Sequence, residues 1–254
     1  MATVAGTHTS GPADPAAPRA VLSGSYRRDP DSLRAAYDQL RSEGCVVTSP
    51  ISVDFVKEVD GFVVSEKELA ESPADIEARH IAALRAADFV WLHAPDGYVG
   101  PSAALEIGVA HAIGVPVYAA VAPADSNLAQ FVLAGTTPRN AVAIARSEGP
   151  RVPSSSLDDL QSYYDRVSRE RGFSDEGPLD TMLLLIEEVG ELARAIRQSV
   201  GLARADQAAV ELSEELADVQ LYILHLANVL GLELSEAVAV KERHNRQRYR
   251  PVAA

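Results

Sequence analysis

The sequence predicts two domains of different class: an α/β domain built on a parallel sheet, then an all-α domain of four helices. Three observations predict it. From Arg19 to about Glu148, short apolar runs alternate with helix-like patterns. "EGPRVPSSS", Glu148 to Ser156, is a proline- and serine-rich break. Beyond it strand signals vanish, and glycines punctuate helical periodicity alone. At 254 residues, with 47% apolar and 23% charged residues, the chain has the size for two domains and the composition of an ordinary globular protein.

Residues 1–18 are rich in Ala, Pro, Gly, Ser and Thr without periodicity and read as a disordered leader. "AVLSGSY" is a first strand ending in Gly24, and a helical pattern follows from Asp31 to Glu43. "CVVTSP" is a second strand; Cys45, the sole cysteine, is expected to be buried and leaves no partner for an internal disulfide. Residues 51–71 fit neither pattern. A helix from about Pro73 to Ala87, the strand "DFVWLHA", a helix from Ser102 to Ile113 and the strand "VPVYAAV" continue the alternation. Strands joined by crossover helices make a Rossmann-like sheet, whose ligands gather beyond the carboxyl ends of the strands, in the loops after Leu22, Val47 and Leu92. The α/β domain is thus expected over 19–148, a linker over 149–156 and the helical domain over 157–250. Helices are predicted near 157–171, 179–199, 207–230 and 233–248.

The formal net charge of −13 argues against a nucleic-acid polymer as partner, because such binding needs a basic footprint. No apolar run reaches the roughly 18–20 residues that cross a bilayer, and no signal pattern opens the chain, so a cytoplasmic protein without membrane partners is expected. One local basic cluster, "KERHNRQRYR", Lys241 to Arg250, is suited to anions.

Two stretches carry most of the chemistry, "IEEVGELARAI" (Ile186 to Ile196) and "ELSEELADVQ" (Glu211 to Gln220). On the first helix Met182, Leu185, Val189 and Ile196 form an apolar stripe edged by Glu188 and Glu191. On the second, Leu212, Leu216, Val219, Ile223 and Leu230 form the stripe, edged by Glu215 and Asp218. At about 100° per residue, packing through these stripes faces four carboxylates across one gap. A solvated acidic face is the alternative. It leaves three like-charge i,i+4 pairs, Glu187 with Glu191, Glu211 with Glu215 and Glu214 with Asp218, each costing roughly 0.2–0.5 kcal/mol. Arg194 can relieve Glu191; a hard divalent cation, which takes oxygen ligands, relieves the rest.

The pattern Glu187-Glu188-x-x-Glu191 followed by Glu215-x-x-Asp218 resembles the MazG-type, all-α nucleotide pyrophosphohydrolases, over about 157–250. The resemblance implies that Glu188, Glu191, Glu215 and Asp218 hold Mg2+, or Mn2+, with Glu187 orienting water. It implies cleavage of a nucleoside triphosphate between its α and β phosphates. Lys241, Asn245 and Arg248 match a Lys-x-x-x-Asn-x-x-Arg pattern of such enzymes and are expected to receive substrate phosphates, although a basic helix end explains them too. The resemblance also implies a homodimer or homotetramer assembled through the helical domain.

In the α/β domain, "GSYRRDPDS" follows a strand and opens a helix. Gly24, Ser25, Tyr26 and Arg27 are therefore candidates to cradle a phosphate; a simple turn with Asp31 or Ser32 as helix cap is the other reading. "GYVGPSAALEIGVAHAIGVPVYA" places Glu106 in the first turns of a helix at the sheet's mouth, where a nucleophilic carboxylate can attack a cation-like anomeric carbon. This half resembles the nucleoside 2-deoxyribosyltransferases over roughly 20–145. The resemblance implies that Glu106 is the nucleophile and that Tyr26 and Ser102 line the site. His80 stands eight residues before Asp88, where that family usually has Asp, and is a candidate acid or base; Gly100 stands where a polar residue is usual. Hydrolysis or nucleotide binding survives these departures better than base transfer.

Overall fold

The protein is described by a computed structural model that covers residues 17–59, 62–153, 156–173, 175–202 and 211–248. The leader expected over 1–18 lies, up to residue 16, outside the described residues. The chain divides into two compact units, residues 1–153 and 154–254.

In the first unit β1 (Arg19–Gly24), β2 (Val46–Ser49), β5 (Phe89–His93), β6 (Val117–Ala119) and β7 (Leu133–Ala134) form one sheet in the order β2-β1-β5-β6-β7. Every pairing in it is parallel. β1 and β5 are the point where the strand order reverses, and the crevice outside their carboxyl ends is where such sheets bind ligands. The period-2 alternation of the strands sorts the core onto two faces. Ala20, Leu22, Phe89 and Trp91 pack with α1 (Pro30–Ser42) and α5 (Pro138–Glu148). Val21, Val90, Leu92 and Val117 pack instead with α2 (Pro73–Arg85) and α3 (Pro101–Ala112). Each fully buried aliphatic contributes roughly 1.5–3 kcal/mol relative to exposure.

Two helix starts follow sequence cues: Ser72 and Asp75 form a reciprocal capping box ahead of Pro73, and Thr137 caps α5 ahead of Pro138. The start of α1 differs from expectation. Its cap is Asp29, in the left-handed region at φ 48°, whose carboxylate accepts the Ser32 amide, so neither Asp31 nor Ser32 is the cap. Proline at the first helical position fixes this earlier start.

Residues 51–71, unassigned from sequence, contain an antiparallel hairpin of β3 (Phe55–Val59) and β4 (Phe62–Ser65), separate from the main sheet, then a 3-10 turn over Glu66–Glu68. A short helix, α4 (Ser126–Ala129), precedes β7. Cys45 is buried, and burial pushes its thiol up to about 12.

The second unit is α6 (Leu157–Glu170), α7 (Pro178–Ser199), α8 (Leu212–Val229) and α9 (Leu234–Arg248). The predicted start of the third helix, 207–210, falls outside the described residues. α7 packs against α8, and α6 packs on both α8 and α9. α8 and α9 meet at 101°. Gln161, buried on α6, holds that corner: its amide donates to Asn228 Oδ1 (2.9 Å) and the Leu232 carbonyl (2.8 Å), and its oxygen accepts the Leu234 amide (3.0 Å). Among the described residues no single helix is long and apolar enough to cross a membrane.

The predicted contact stripes correct in one respect. Met182, Val189, Ile196, Leu212, Leu216, Ile223 and Leu230 are between 37 and 59% exposed, and Leu183 and Ile186 extend the same apolar surface of α7. The buried positions are Thr181 and Ala195 on α7 and Leu224, His225 and Ala227 on α8. α7 carries apolar residues around more than half its circumference, and periodicity alone does not say which arc meets its own chain.

Candidate functional site

In the helical unit, carboxylate oxygens of Glu188, Glu215 and Asp218 lie within 4.8 Å of one another. The i,i+3 spacing of Glu215 and Asp218 puts both on one edge of α8, and the packing of α7 on α8 brings Glu188 to them. Burial, then the charges of Asp218 and Glu215, raise the Glu188 carboxyl above its ordinary value. Three carboxylate oxygens gathered this closely are the hard donor set that a divalent cation such as Mg2+ takes, and Glu188, Glu215 and Asp218 would hold it.

The remaining predicted ligands are placed differently. Glu191 is paired with Arg194 and is not part of the group of three. Glu187 is exposed beside Glu188. Lys241, Asn245 and Arg248 are on α9, which packs on α6; Lys241 lines a shallow cavity with Glu236, Val240 and His244. Three residues that sequence reasoning passed over gather near the acids. They are Tyr164, Tyr222 and Glu176; burial raises both phenols, helped by the charges of Glu176, Glu188 and Asp218 and, at Tyr164, opposed by Arg171. His225, buried, sits 3.1 Å from Glu176 Oε2.

In the α/β unit, a cavity of 160 Å³ opens at the carboxyl end of the sheet, on the face covered by α2 and α3. Glu106 of α3, Ser49 at the end of β2 and the Gly24–Tyr26 turn after β1 line it. Gly24 is there of necessity: at φ +124°, a Cβ would stand 2.1 Å from the His93 carbonyl oxygen. That carbonyl also accepts the Ser25 amide, at 3.1 Å. The expected phosphate cradle is thereby reduced, since one turn amide is spent on β5 and the Asp29 carboxylate caps α1. Arg27 pairs at the surface with Glu58, 2.8 Å away, while Arg28 stacks on Tyr98. Ser102 is exposed at the cavity's edge.

Glu106 is 6% exposed and doubly anchored through one oxygen. The Ser23 hydroxyl donates to Oε2, and His80 Nε2 stands 3.1 Å from the same atom. Ser49 Oγ lies 2.7 Å from His80 Nδ1, so the ring is held between Ser49 and Glu106. Burial alone would raise the Glu106 carboxyl, but the hydrogen bond and charge of His80, with Ser23, outweigh it and hold the group below its ordinary value. Both anchors fall on Oε2, which leaves Oε1 for the cavity that Glu106 lines. Tyr26 stacks on Phe55 at 5.3 Å, and its hydroxyl donates to the Leu22 carbonyl.

Residues 176–250 match a family model described as the MazG nucleotide pyrophosphohydrolase domain. Mouse dCTP pyrophosphatase 1 is 33% identical over 103 residues, which are 38% of this chain and 61% of the mouse protein. The chain thus spans about three fifths of the length of that relative. A Bacillus subtilis protein named YvdC is 31% identical over 101 residues, 37% of this chain and 95% of its own length. Among solved structures, iMazG from Vibrio DAT 722 aligns at 31% identity over 37% of this chain and 98% of its own, with a TM-score of 0.27, too low to bear on the fold.

Proposed function

We propose that this chain, which belongs to the MazG nucleotide pyrophosphohydrolase family through residues 176–250, hydrolyses a nucleoside triphosphate to monophosphate and pyrophosphate with a divalent cation, Mg2+ or Mn2+. The observation that carries the reading is the convergence of Glu188, Glu215 and Asp218 within 4.8 Å, with the Glu188 carboxyl raised by burial and by the neighbouring carboxylates. The cation, when bound, neutralises phosphate charge, polarises a phosphoryl oxygen and lowers the pKa of water. Glu187, free to face solvent on the next position of α7, is the carboxylate that orients the attacking water and takes its proton. Glu191 serves as a further ligand once Arg194 releases it, and Lys241, Asn245 and Arg248 receive phosphate oxygens. The mouse relative makes dCTP the first substrate to try.

A second copy of the chain covers the exposed apolar surface of Leu183, Ile186 and Val189, giving a homodimer or a homotetramer. The test of the activity is incubation with Mg2+ and a panel of ribo- and deoxyribonucleoside triphosphates, beside Glu188→Ala. Pyrophosphate lost in the variant supports the reading; no pyrophosphate from any substrate sinks it.

A second reading concerns the α/β unit and rests on the free Oε1 of the anchored, ionised Glu106 in a cavity. There the chain cleaves the N-glycosidic bond of the monophosphate that the helical unit releases, with Glu106 as nucleophile. Free base from wild type and none from Glu106→Ala supports it. Saturable nucleotide binding without turnover, surviving Glu106→Ala, makes this unit a sensing module that regulates the helical site instead.

A further inference from the structure

We propose that Glu77 is the proton donor to the departing base in the α/β cavity, and that His80 is a positioning residue for Glu106. The inference rests on the reading of that cavity as a glycosidic-bond-cleaving site. Glu77 is on α2, one helical turn before His80, and lines the same cavity as Glu106 and Tyr26. Its Oε1 is buried and has no hydrogen-bond partner among the described residues.

Among the described residues Glu68, Tyr26, Arg27 and His80 at the cavity are engaged, and Arg28 stacks on the ring of Tyr98. Glu68 accepts the Ser65 amide (3.1 Å) and hydroxyl (2.6 Å) and is paired with Arg79. The Tyr26 hydroxyl donates to the Leu22 carbonyl, and Arg27 is paired with Glu58. His80 is held between Ser49 and Glu106, with Nδ1 2.7 Å from Ser49 Oγ and Nε2 3.1 Å from Glu106 Oε2, so both ring nitrogens face groups other than a leaving group. Glu77 is left, among the described residues, with a buried carboxyl oxygen that has no partner.

The electrostatics agree with the geometry. Burial, then the charge of Glu106, raises the Glu77 carboxyl above its ordinary value against the opposing effect of His80, while Glu106 is held below its own. Two carboxyls in one cavity pushed in opposite directions is the arrangement that assigns one as acid and the other as nucleophile.

The step balances. Glu106 Oε1 bonds to the anomeric carbon as the carbon–nitrogen bond breaks; the bonding pair leaves on the base, which takes the Glu77 proton. Water then attacks the same carbon and breaks the ester to Glu106, and Glu77 recovers its proton from that water. The products are free base and sugar 5-phosphate.

The test uses the full-length protein with the four 2′-deoxynucleoside 5′-monophosphates and with a 4-nitrophenyl 2-deoxyriboside 5-phosphate, whose leaving group departs as a phenolate and needs no proton. Glu77→Gln is expected to slow base release about 100-fold or more while leaving nitrophenolate release within a few-fold of wild type, and Glu106→Gln to abolish both. Retained nitrophenolate release also shows that the variant is folded. Base release by Glu77→Gln at the wild-type rate, or equal loss on both substrates, overturns the assignment. Wild type releasing neither base nor nitrophenolate sinks the cleavage reading itself, a result that no behaviour of Glu77→Gln can imitate.

Discussion

His80 Nε2 and Glu106 Oε2 stand 3.1 Å apart, joining α2 to α3 over the cavity at the sheet's carboxyl end. The pair holds Glu106 ionised, which ties the stability of the first unit to pH. A carboxyl whose folded pKa lies below its unfolded value, near 4.3, stabilises the fold above that value and ceases to as pH falls through the folded one. The melting temperature of wild type should therefore drop on acidification below about pH 4.3, and Glu106→Gln should flatten part of that drop. Thermal scans from neutral pH downward check it; parallel curves for the two proteins refute the link.

In the helical unit the sign is opposite. Glu188 has a raised pKa, so its ionisation weakens the cation-free fold, and stability lost as pH rises through the folded value is restored by a cation. Mg2+ at a hundredfold excess over its Kd should add about 2.7 kcal/mol. The gain in melting temperature should be larger at pH 8 than at pH 5 and absent in Glu188→Ala. An equal Mg2+ effect in that variant locates the cation elsewhere.

Gln161 satisfies three groups of the α8–α9 corner from within α6. Gln161→Leu leaves the Leu234 amide and the Asn228 side chain short of partners, at a cost of about 1–3 kcal/mol for each group left buried. Urea unfolding should show a lower midpoint for the helical unit; a midpoint within error of wild type means water replaces the amide fully.

The exposed apolar residues of α7 predict assembly. Leu183→Lys with Ile186→Lys should shift the sedimentation coefficient to that of a single chain if a second copy covers this surface. An unchanged oligomer, or a wild type that is already a monomer, excludes this interface.

The alternation of strand and helix was readable through β2, β5 and β6, whose short runs are rich in β-branched or aromatic residues, whereas β7, the two residues Leu133–Ala134, is too short to show a pattern. Glu188, Glu215 and Asp218 were readable for a similar reason, since i,i+3 spacing survives any choice of packing face. Which face packs was not, because both arcs of α7 are apolar and the choice depends on partners beyond the helix. The hairpin was missed despite its signal: Asp60-Gly61 stands between two alternating runs, a hairpin-turn dipeptide that the acidic, lysine-bearing strands obscured. Glu77, Ser49 and Ser23 carry no motif. Their significance arises only when three strand ends and two helices converge on Glu106.

The last bonds that close the first unit come from beyond its final helix. The Arg151 amide donates to Asp88 Oδ1, and its guanidinium to the carbonyls of Arg85, Ala87 and Ile113, while Asp88 Oδ2 accepts the Arg19 amide. The residue acts as a clasp on the seam where the first strand, α2 and α3 begin or end. A gene divided after Glu148 discards the clasp and leaves Asp88 half-satisfied, whereas one divided after Pro153 keeps it. The second cut is the one at which the α/β half can be expected to stand alone, and it sets where a fusion partner can be spliced in place of the helical half.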